Sequence, residues 1–221
     1  MPWLPVNVSA HGGEIDGIFY IILWITAAIF LLVEGGLLWF IFRYRHREGR
    51  KAEHMHGNWK VEVVWTAIPF LIVIALGAMS WGPWSAAKNP ARAPADAVEL
   101  AVHAAQFEWT ITYPGPDGEL DTADDFQERN QLHLPVDRPV RIHLSSEDVI
   151  HSFFLPHFRV KQDIVPGMDG QSVWFQATQP GEYVLACAEL CGTGHTRMMA
   201  SVTVHAPGEF AAWQAEAAGT N

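Results

Sequence analysis

Two long, nearly uncharged stretches in the first half of the chain constrain the fold more than any other feature of the sequence. Residues 17–42 (GIFYIILWITAAIFLLVEGGLLWFIF) contain Glu34 as their only charged side chain, and residues 61–84 (VEVVWTAIPFLIVIALGAMSWGPW) contain only Glu62. Each stretch exceeds the roughly 20 apolar residues that cross a bilayer as a helix. Helices of a soluble protein normally keep a polar stripe at this length, and neither stretch has one. The sequence therefore predicts two transmembrane helices.

The distribution of basic residues predicts how these helices are oriented. No basic residue precedes the first stretch, which is also too long for a signal peptide, so we expect it to be retained. Residues 1–16 hold neither Lys nor Arg. The loop 43–60 is basic, and the positive-inside rule puts it in the cytoplasm with both ends of the chain outside. Its basic residues are Arg43, Arg45, Arg47, Arg50, Lys51 and Lys60.

The rest of the chain predicts an exported β domain. A linker rich in small residues and proline, 85–97, is followed by segments in which apolar and polar residues alternate. Turn signals such as YPGPDGE, LPVDRP, VPGMDG and TQPGE separate them. This pattern predicts a Greek-key sandwich over 98–206 and a short helix in the tail 207–221. The predicted strands are Val98–Ala104, Glu108–Tyr113, Val140–Ser145, His151–Leu155, Ser172–Ala177, Glu182–Ala186 and Met199–His205.

The formal net charge of −10 limits the class of partner. An acidic surface is repelled by nucleic-acid phosphates and attracted to a basic protein. We therefore expect a basic soluble partner and no nucleic acid.

The segment CAELCGTGHTRM, residues 187–198, holds both cysteines of the chain together with a histidine and a methionine. In an exported domain the two cysteines could form a disulfide, which would leave the other two side chains unexplained. Methionine is a poor zinc ligand, and an iron–sulfur cluster usually needs more cysteines. Copper fits thiolate, imidazole and thioether best. A mononuclear blue-copper site needs one cysteine, whereas two thiolates can bridge two copper ions that each take a terminal imidazole.

The second imidazole must come from elsewhere in the chain. His151 is the best candidate, because it begins a predicted strand and has apolar neighbours. His133 and His143 lie in alternating patterns that are typical of ordinary surface histidines. The other histidines of the exported domain are His103, His157 and His205.

With His151 included, the chain resembles subunit II of the haem–copper cytochrome c oxidases over its whole length. VIHSFFLP followed by CAELCGTGHTRM fills every position of the family pattern H…C-x-E-x-C-x-x-x-H-x-x-M. The resemblance implies a cupredoxin domain with the dinuclear copper centre CuA, in which Cys187 and Cys191 bridge the metals. It implies His151 and His195 as terminal ligands, and Met198 and the backbone carbonyl of Glu189 as weak ligands. The Glu189 side chain would reach Mg²⁺ or Mn²⁺ at the boundary with subunit I.

The function implied by this resemblance is electron transfer. Electrons would pass from cytochrome c or a similar soluble carrier through CuA to haem in subunit I, where oxygen is reduced to water and protons are translocated. No catalytic residue and no haem would lie in this chain, which has no C-x-x-C-H motif. The expected location is a bacterial inner membrane, with the copper domain on the periplasmic side. Alternatives are a quinol-oxidase subunit II without metal, a membrane-anchored CuA protein of denitrification and a copper chaperone.

The resemblance also suggests roles for residues outside the metal site. Glu62 matches a glutamate at the mouth of a proton path, in the pattern E-x-x-W-T-x-x-P. Asp148 matches an acid that helps to dock cytochrome c, and Asp163 an acid near the magnesium ion and the haem propionates. Phe107 and Trp109 stand where the family usually has Q-W-x-W, whose first Trp receives the electron. Because Phe107 replaces that Trp, the donor need not be cytochrome c.

Two acidic features lie apart from the residues that the resemblance assigns. Glu34 should face protein rather than lipid, and we assign it no role in proton flow. The loop that holds Asp117, Glu119, Asp121, Asp124 and Asp125 could bind Ca²⁺ through its oxygen atoms, but it does not have EF-hand spacing. We favour a solvated acidic loop that contributes to donor docking.

Overall fold

A computed structural model describes residues 3–51 and 54–220. The chain divides into two compact units, one formed by Asp16–Gly82 and the other by Met1–Ile15 together with Pro83–Asn221. The extreme ends of the predicted segments 1–16 and 207–221, and part of the loop 43–60, lie outside the described residues.

The first unit contains most of two long helices, α1 (Gly12–Arg43) and α2 (Trp59–Lys88), whose outer ends belong to the second unit. Both are long and apolar enough to cross a membrane. Their apolar side chains are largely exposed, as expected for surfaces that meet lipid or other protein. Asn58 caps α2, because its Oδ1 accepts a hydrogen bond from the backbone N–H of Lys60 at 3.1 Å. The helix continues past residue 84, so residues 85–88 of the predicted linker are helical.

The second unit is a sandwich of two five-stranded sheets. The strands are β1 (Val98–Ala105), β2 (Glu108–Tyr113), β3 (Phe126–Arg129), β4 (Gln131–Pro135), β5 (Pro139–Ser146), β6 (His151–Leu155), β7 (Val160–Ile164), β8 (Ser172–Gln176), β9 (Gly181–Cys187) and β10 (Met199–His205). One sheet has the order β3-β2-β1-β5-β8 and the other β4-β10-β9-β6-β7. β1 pairs in parallel with β5, and β4 with β10, while all other neighbours are antiparallel.

Apolar and polar residues alternate along these strands, so that the apolar face of each sheet lies in the core. In β5 every second residue, such as Val140 and Ile142, is fully buried, and the same holds for Trp109 and Ile111 in β2. The sandwich predicted from the sequence is therefore correct.

Three strands were missing from the sequence prediction. β3 and β7 are edge strands, and their sequences FQER and VKQDI bury only Phe126 and Ile164. The third, β4, contains Leu134 and Pro135, which the sequence had suggested as part of a turn. The turn instead follows at Asp137, whose φ of 55° lies in the left-handed region.

Residues before α1 and at the end of α2 are both attached to the β domain. The backbone N–H of Val8 donates to the carbonyl of His157 at 2.9 Å, and that of Ala10 donates to the carbonyl of Gln176 at 3.1 Å. Trp174 contacts the ring of His11, with centroids 4.6 Å apart, and its Nε1–H donates to the carbonyl of Ala86 at 3.0 Å. Ala10, His11 and Ala86 thus all contact residues of β8.

Helix α3 (Glu209–Thr220) is the short helix expected near the C-terminus. Its Trp213 stacks on the ring of His133, with centroids 4.0 Å apart, and His133 Nδ1 lies 2.9 Å from Nε2 of His205. His133 is therefore half-buried, and its prediction as an ordinary surface residue was wrong. Burial lowers the pKa of His133 to about 4, and the neighbouring His205 contributes.

Candidate metal centre

The residues of the predicted metal site meet at one end of the sandwich. His151 is the first residue of β6, and Cys187 is the last residue of β9. Cys191 lies in the connection from β9 to β10, and Met198 ends that connection. The backbone N–H of Cys187 donates to the carbonyl of Met198 at 3.0 Å, which closes the connection into a loop. Strand pairing therefore brings the distant His151 beside a locally encoded cluster.

The distances within this group are short. Cys187 Sγ lies 3.8 Å from Cys191 Sγ and 3.9 Å from His151 Nδ1. Cys191 Sγ lies 3.6 Å from His195 Nδ1 and 3.8 Å from Met198 Sδ. The carbonyl oxygen of Glu189 lies 3.2 Å from Cys187 Sγ. Each cysteine thus has one imidazole nitrogen beside it and one weaker donor atom.

Both thiols are free, so the structure contains no disulfide between them. His151 is fully buried, and Cys187 and Cys191 are nearly so. Among the residues that the structure describes, these three form the one group of at least three histidine, cysteine or acidic residues whose ligand atoms converge, all within 4.8 Å.

The donor set fits copper. Burial raises the pKa of the Cys191 thiol to about 11, and the adjacent Cys187 contributes to the increase. A bound metal ion would offset this effect, because a cation stabilises the thiolate form of its cysteine ligands. Thiolate, imidazole and thioether groups together select a soft metal such as copper over Mg²⁺ or Ca²⁺.

A tight turn shapes the loop that carries the second cysteine. The backbone N–H of His195 donates to the carbonyl of Gly192 at 3.1 Å, and that of Arg197 donates to the carbonyl of Gly194 at 2.9 Å. Gly192 has a φ of 132°, which favours glycine over residues with a β-carbon. This turn points His195 back at Cys191.

Comparisons with known proteins identify the family. Residues 103–205 match the family description "Cytochrome C oxidase subunit II, periplasmic domain", and residues 3–82 match "Cytochrome C oxidase subunit II, transmembrane domain". The alternative cytochrome c oxidase subunit 2 of Bradyrhizobium diazoefficiens is 33% identical in an alignment of 237 positions, which covers 96% of this chain and 83% of the relative. The chain belongs to the cytochrome c oxidase subunit II family.

Other relatives agree with this assignment. Cytochrome c oxidase subunit 2 of Thermostichus vulcanus is 33% identical in an alignment of 263 positions, which covers 96% of this chain and 77% of the relative. The crystal structure of the periplasmic domain of cytochrome oxidase subunit II of Bradyrhizobium japonicum matches with a TM-score of 0.51 and 28% identity, over 58% of this chain and 98% of that one. This subunit II is a membrane-anchored electron-transfer subunit of a haem–copper oxidase, and the complex is an oxidoreductase.

The two aromatic residues expected on the electron path lie at different depths. Phe107 is half-buried in the turn between β1 and β2 and lies over the connection from β9 to β10, next to Gly192 and Gly194. Trp109 is fully buried, with its ring centroid 6.2 Å from that of His151. Trp109 is therefore part of the interior of the domain, beside His151.

Asp148 is held close to the metal site. Its Oδ1 lies 2.8 Å from His151 Nε2 and accepts a hydrogen bond from the Val149 N–H at 2.6 Å, while Oδ2 accepts one from the Gln106 N–H at 2.8 Å. Desolvation opposes ionisation, but these hydrogen bonds outweigh it and lower the pKa of the Asp148 carboxyl. Sequence reasoning missed Gln106, whose side-chain Nε2 also donates to the carbonyl of Cys191.

Ser152 contacts the segments that carry Glu189 and Asp163. Asp163 in β7 pairs with Ser152 in β6, and the backbone N–H of Ala188 donates to the carbonyl of Ser152 at 3.1 Å. The side chains of Glu189 and Asp163 are exposed in the isolated subunit. A hydrogen bond from Lys161 lowers the pKa of Asp163, so this carboxylate is ionised at neutral pH.

Glu62 and Glu34, the two acidic residues considered in the apolar stretches, lie in the other compact unit. Glu62 is in the first turn of α2, where the helix dipole favours a negative charge. Glu34 is exposed on α1 beside Phe30 and Val33.

The acidic loop between β2 and β3 uses its carboxylates to bind its own backbone. Asp117 Oδ1 accepts a hydrogen bond from the Glu119 N–H at 2.9 Å, and Asp125 Oδ2 accepts one from the Asp121 N–H at 2.8 Å. Thr122 Oγ1 donates to Asp124 Oδ1 at 2.6 Å. These bonds are typical of a solvated loop, and they give no support to a calcium site.

Proposed function

We propose that this subunit II carries a dinuclear CuA centre and delivers electrons through it to haem in subunit I. Cys187 and Cys191 would supply two thiolates shared by the copper ions, His151 and His195 would supply one imidazole each, and Met198 and the carbonyl of Glu189 would supply weaker donors. The observation that carries the proposal is the arrangement of the two thiols, 3.8 Å apart, each with its own imidazole nitrogen within 4 Å. A mononuclear site would need only one of the thiols.

The bound copper pair supplies a centre that gains and loses one electron. The protein limits how far the ligand side chains move when an electron is transferred. Both ends of the ligand loop are held by β9 and β10, and His151 is fixed at the start of β6. Ligands held on rigid strands keep one geometry in both redox states, which favours fast transfer at small driving force.

We propose that electrons come from cytochrome c or a similar basic soluble carrier. Phe107 is the partly exposed aromatic residue over the ligand loop, and exposed acids such as Glu147 lie beside this end of the domain. The net charge of −10 would attract a basic donor, and the attraction would weaken as salt increases.

Electron paramagnetic resonance of the full chain, loaded with copper in detergent, tests the centre. One unpaired electron shared equally by two copper nuclei is the expected result, with two copper ions bound per chain. Changing His151 to Ala should abolish that spectrum, and changing the surface residue His143 to Ala should not. Splitting from a single nucleus would overturn the dinuclear assignment, and a chain that binds no copper would favour the metal-free quinol-oxidase alternative.

Activity of the assembled complex separates the proposal from the denitrification alternative. The oxidase containing this subunit should consume oxygen with reduced cytochrome c as donor and should translocate protons. Oxygen consumption with quinol but not with any soluble carrier would contradict the proposed electron path. Reduction of a nitrogen oxide in place of oxygen would place the chain in the other enzyme class.

We further propose that the Glu189 side chain binds Mg²⁺ or Mn²⁺ at the boundary with subunit I, with Asp163 nearby at the same interface. Carboxylate oxygens suit such hard cations, and both acids are exposed on the isolated subunit. In the assembled oxidase, Glu189→Gln should remove the Mn²⁺ signal of a Mn²⁺-grown preparation. An unchanged Mn²⁺ spectrum would contradict the proposal.

The proposed orientation has the copper domain and both chain ends on the periplasmic side of the inner membrane. It is supported by the basic loop 43–60 and by the attachment of Val8 and Ala10 to the β domain, which requires the N-terminal segment and the domain to share one side. A membrane-impermeant amine reagent applied to spheroplasts should modify Lys161 but not Lys51 or Lys60. The opposite labelling pattern would reverse the orientation.

Glu62 is proposed to stand at the cytoplasmic mouth of a proton path into subunit I. An ionisable side chain at a membrane boundary is costly unless it has a function. Glu62→Gln should slow turnover of the oxidase while the copper spectrum stays unchanged. Normal turnover and normal proton translocation in that variant would exclude the role.

A further inference from the structure

Both carboxylate oxygens of Asp148 are used within the protein. Oδ1 lies 2.8 Å from His151 Nε2 and accepts from the Val149 N–H, and Oδ2 accepts from the Gln106 N–H at 2.8 Å. The side chain is 29% exposed, whereas that of the preceding acid, Glu147, is 73% exposed. Glu147 is thus the more accessible of the two for a docking partner, and Asp148 is directed inward.

The contact with His151 determines which ring nitrogen faces the thiols. A carboxylate beside Nε2 favours the tautomer in which Nε2 carries the proton. Nδ1, which lies 3.9 Å from Cys187 Sγ, is then left with a free lone pair on the side of the cluster. A neutral imidazole binds a metal through such a lone pair, and a hydrogen bond from its other nitrogen to a carboxylate makes it a stronger donor.

The contact between Asp148 and Gln106 connects Asp148 to the loop that carries Cys191. The side chain of Gln106 donates to the carbonyl of Cys191, while its backbone N–H donates to Asp148. The next residue, Phe107, packs over Gly192 and Gly194 of the same loop. The turn between β1 and β2 is therefore bonded both to the segment that carries His151 and to the loop that carries Cys191.

We propose that Asp148 is a positioning residue of the copper centre: it orients His151 for coordination through Nδ1 and, through Gln106, links the two ligand-bearing segments. This inference rests on the proposed copper function. It differs from the docking role that the resemblance implies for this acid, because a docking acid acts only when a donor is present. A positioning residue changes the metal site itself.

The test compares Asp148→Ala, Asp148→Asn and the matched control Glu147→Gln, each in the full chain in detergent and without any electron donor. Copper affinity is measured by competition with a chelator, the reduction potential by redox titration and the electronic structure by electron paramagnetic resonance. Loss of a carboxylate behind a metal-bound histidine typically weakens metal binding about 10- to 100-fold. We expect a loss of that size in Asp148→Ala, with a higher potential because a weaker imidazole donor stabilises the oxidised copper less.

The variants separate the two contacts of the carboxylate. The amide of Asp148→Asn still offers one oxygen to His151 but cannot accept from both partners, so its loss of affinity should be smaller than that of Asp148→Ala. It also provides the measurement if Asp148→Ala does not fold. Glu147→Gln removes an equal charge one residue away and should leave affinity, potential and spectrum as in the wild type.

Two outcomes would overturn the inference. If both Asp148 variants bind copper with wild-type affinity, potential and spectrum, Asp148 does not position the copper centre. If Glu147→Gln shifts the potential as much as Asp148→Ala, the effect is one of overall charge. Absence of a copper spectrum in the wild-type chain would instead contradict the proposed function, so the two failures are distinguishable.

Discussion

Phe107 lies directly over Gly194, and the contact leaves no space for a β-carbon at that glycine. A β-carbon built there would be 2.4 Å from Cγ and Cδ2 of the Phe107 ring. The backbone of Gly194 has an ordinary φ of −92°, so the restriction is steric and not conformational. The aromatic side chain is thus packed against the loop that holds Cys191 and His195.

Gly194→Ala should therefore destabilise the chain by displacing the Phe107 ring. Overpacking of this kind typically costs about 1–3 kcal/mol. The unfolding free energy of the β domain, followed in denaturant, measures the cost. In the double variant Gly194→Ala with Phe107→Ala the extra cost of the alanine at 194 should disappear, whereas additive costs would show that the two residues are not coupled.

Met198→Leu should separate the thioether's chemical role from its packing role. Met198 is fully buried with Sδ 3.8 Å from Cys191 Sγ, and leucine has a similar volume. We expect a stability loss below about 1.5 kcal/mol. The reduction potential of the copper-loaded chain should rise, because the oxidised centre loses a weak donor. An unchanged potential in a redox titration would mean that the sulfur does not act as a ligand.

The pair His133 and His205 predicts a loss of stability in mild acid. Burial lowers the pKa of His133 from its ordinary value of 6.5 to about 4, and burial also lowers the pKa of His205, although Glu209 and Glu182 oppose that shift. As the pH falls through 6.5, the unfolded chain binds a proton that the folded chain does not, so stability falls until about pH 4, where folded His133 is also protonated.

The melting temperature of the β domain, measured between pH 7.5 and pH 4.5, checks this dependence. His133→Phe keeps an aromatic ring for Trp213 to stack on but removes the titrating group, and its melting temperature should fall less over that range. Parallel curves for the variant and the wild type would exclude His133 as the source.

Trp174→Phe should loosen the attachment of α2 to the β domain. The indole N–H donates to the carbonyl of Ala86, one of the last carbonyls of the helix that have no partner within it. Loss of a hydrogen bond of this kind costs about 1 kcal/mol. Amide hydrogen exchange should become faster at residues 85–88, while exchange in α3 serves as the internal control and should not change. If exchange at residues 85–88 is as slow in the variant as in the wild type, Trp174 does not anchor the end of the helix.

Patterns that are local in the sequence were predicted well. The two apolar runs needed only their length and composition, and the ligands from Cys187 to Met198 lie within a single connection between strands. Edge strands such as β3 and β7 escaped prediction because one exposed face and a short length leave few apolar residues to reveal them. His133 was misjudged because the residue that covers it, Trp213, lies 80 positions further along the chain.

The sequence by itself determined that the chain has two membrane helices, a β domain and a cysteine-rich ligand loop, because length, hydropathy and short spacings encode these features. Only the tertiary structure decided that His151 lies beside Cys187, 36 residues away, that Trp109 is interior and that Asp148 faces His151. Contacts of that kind depend on which strands pair and in which register. Strand pairing is a property of the whole sandwich and cannot be read from the residues on either side.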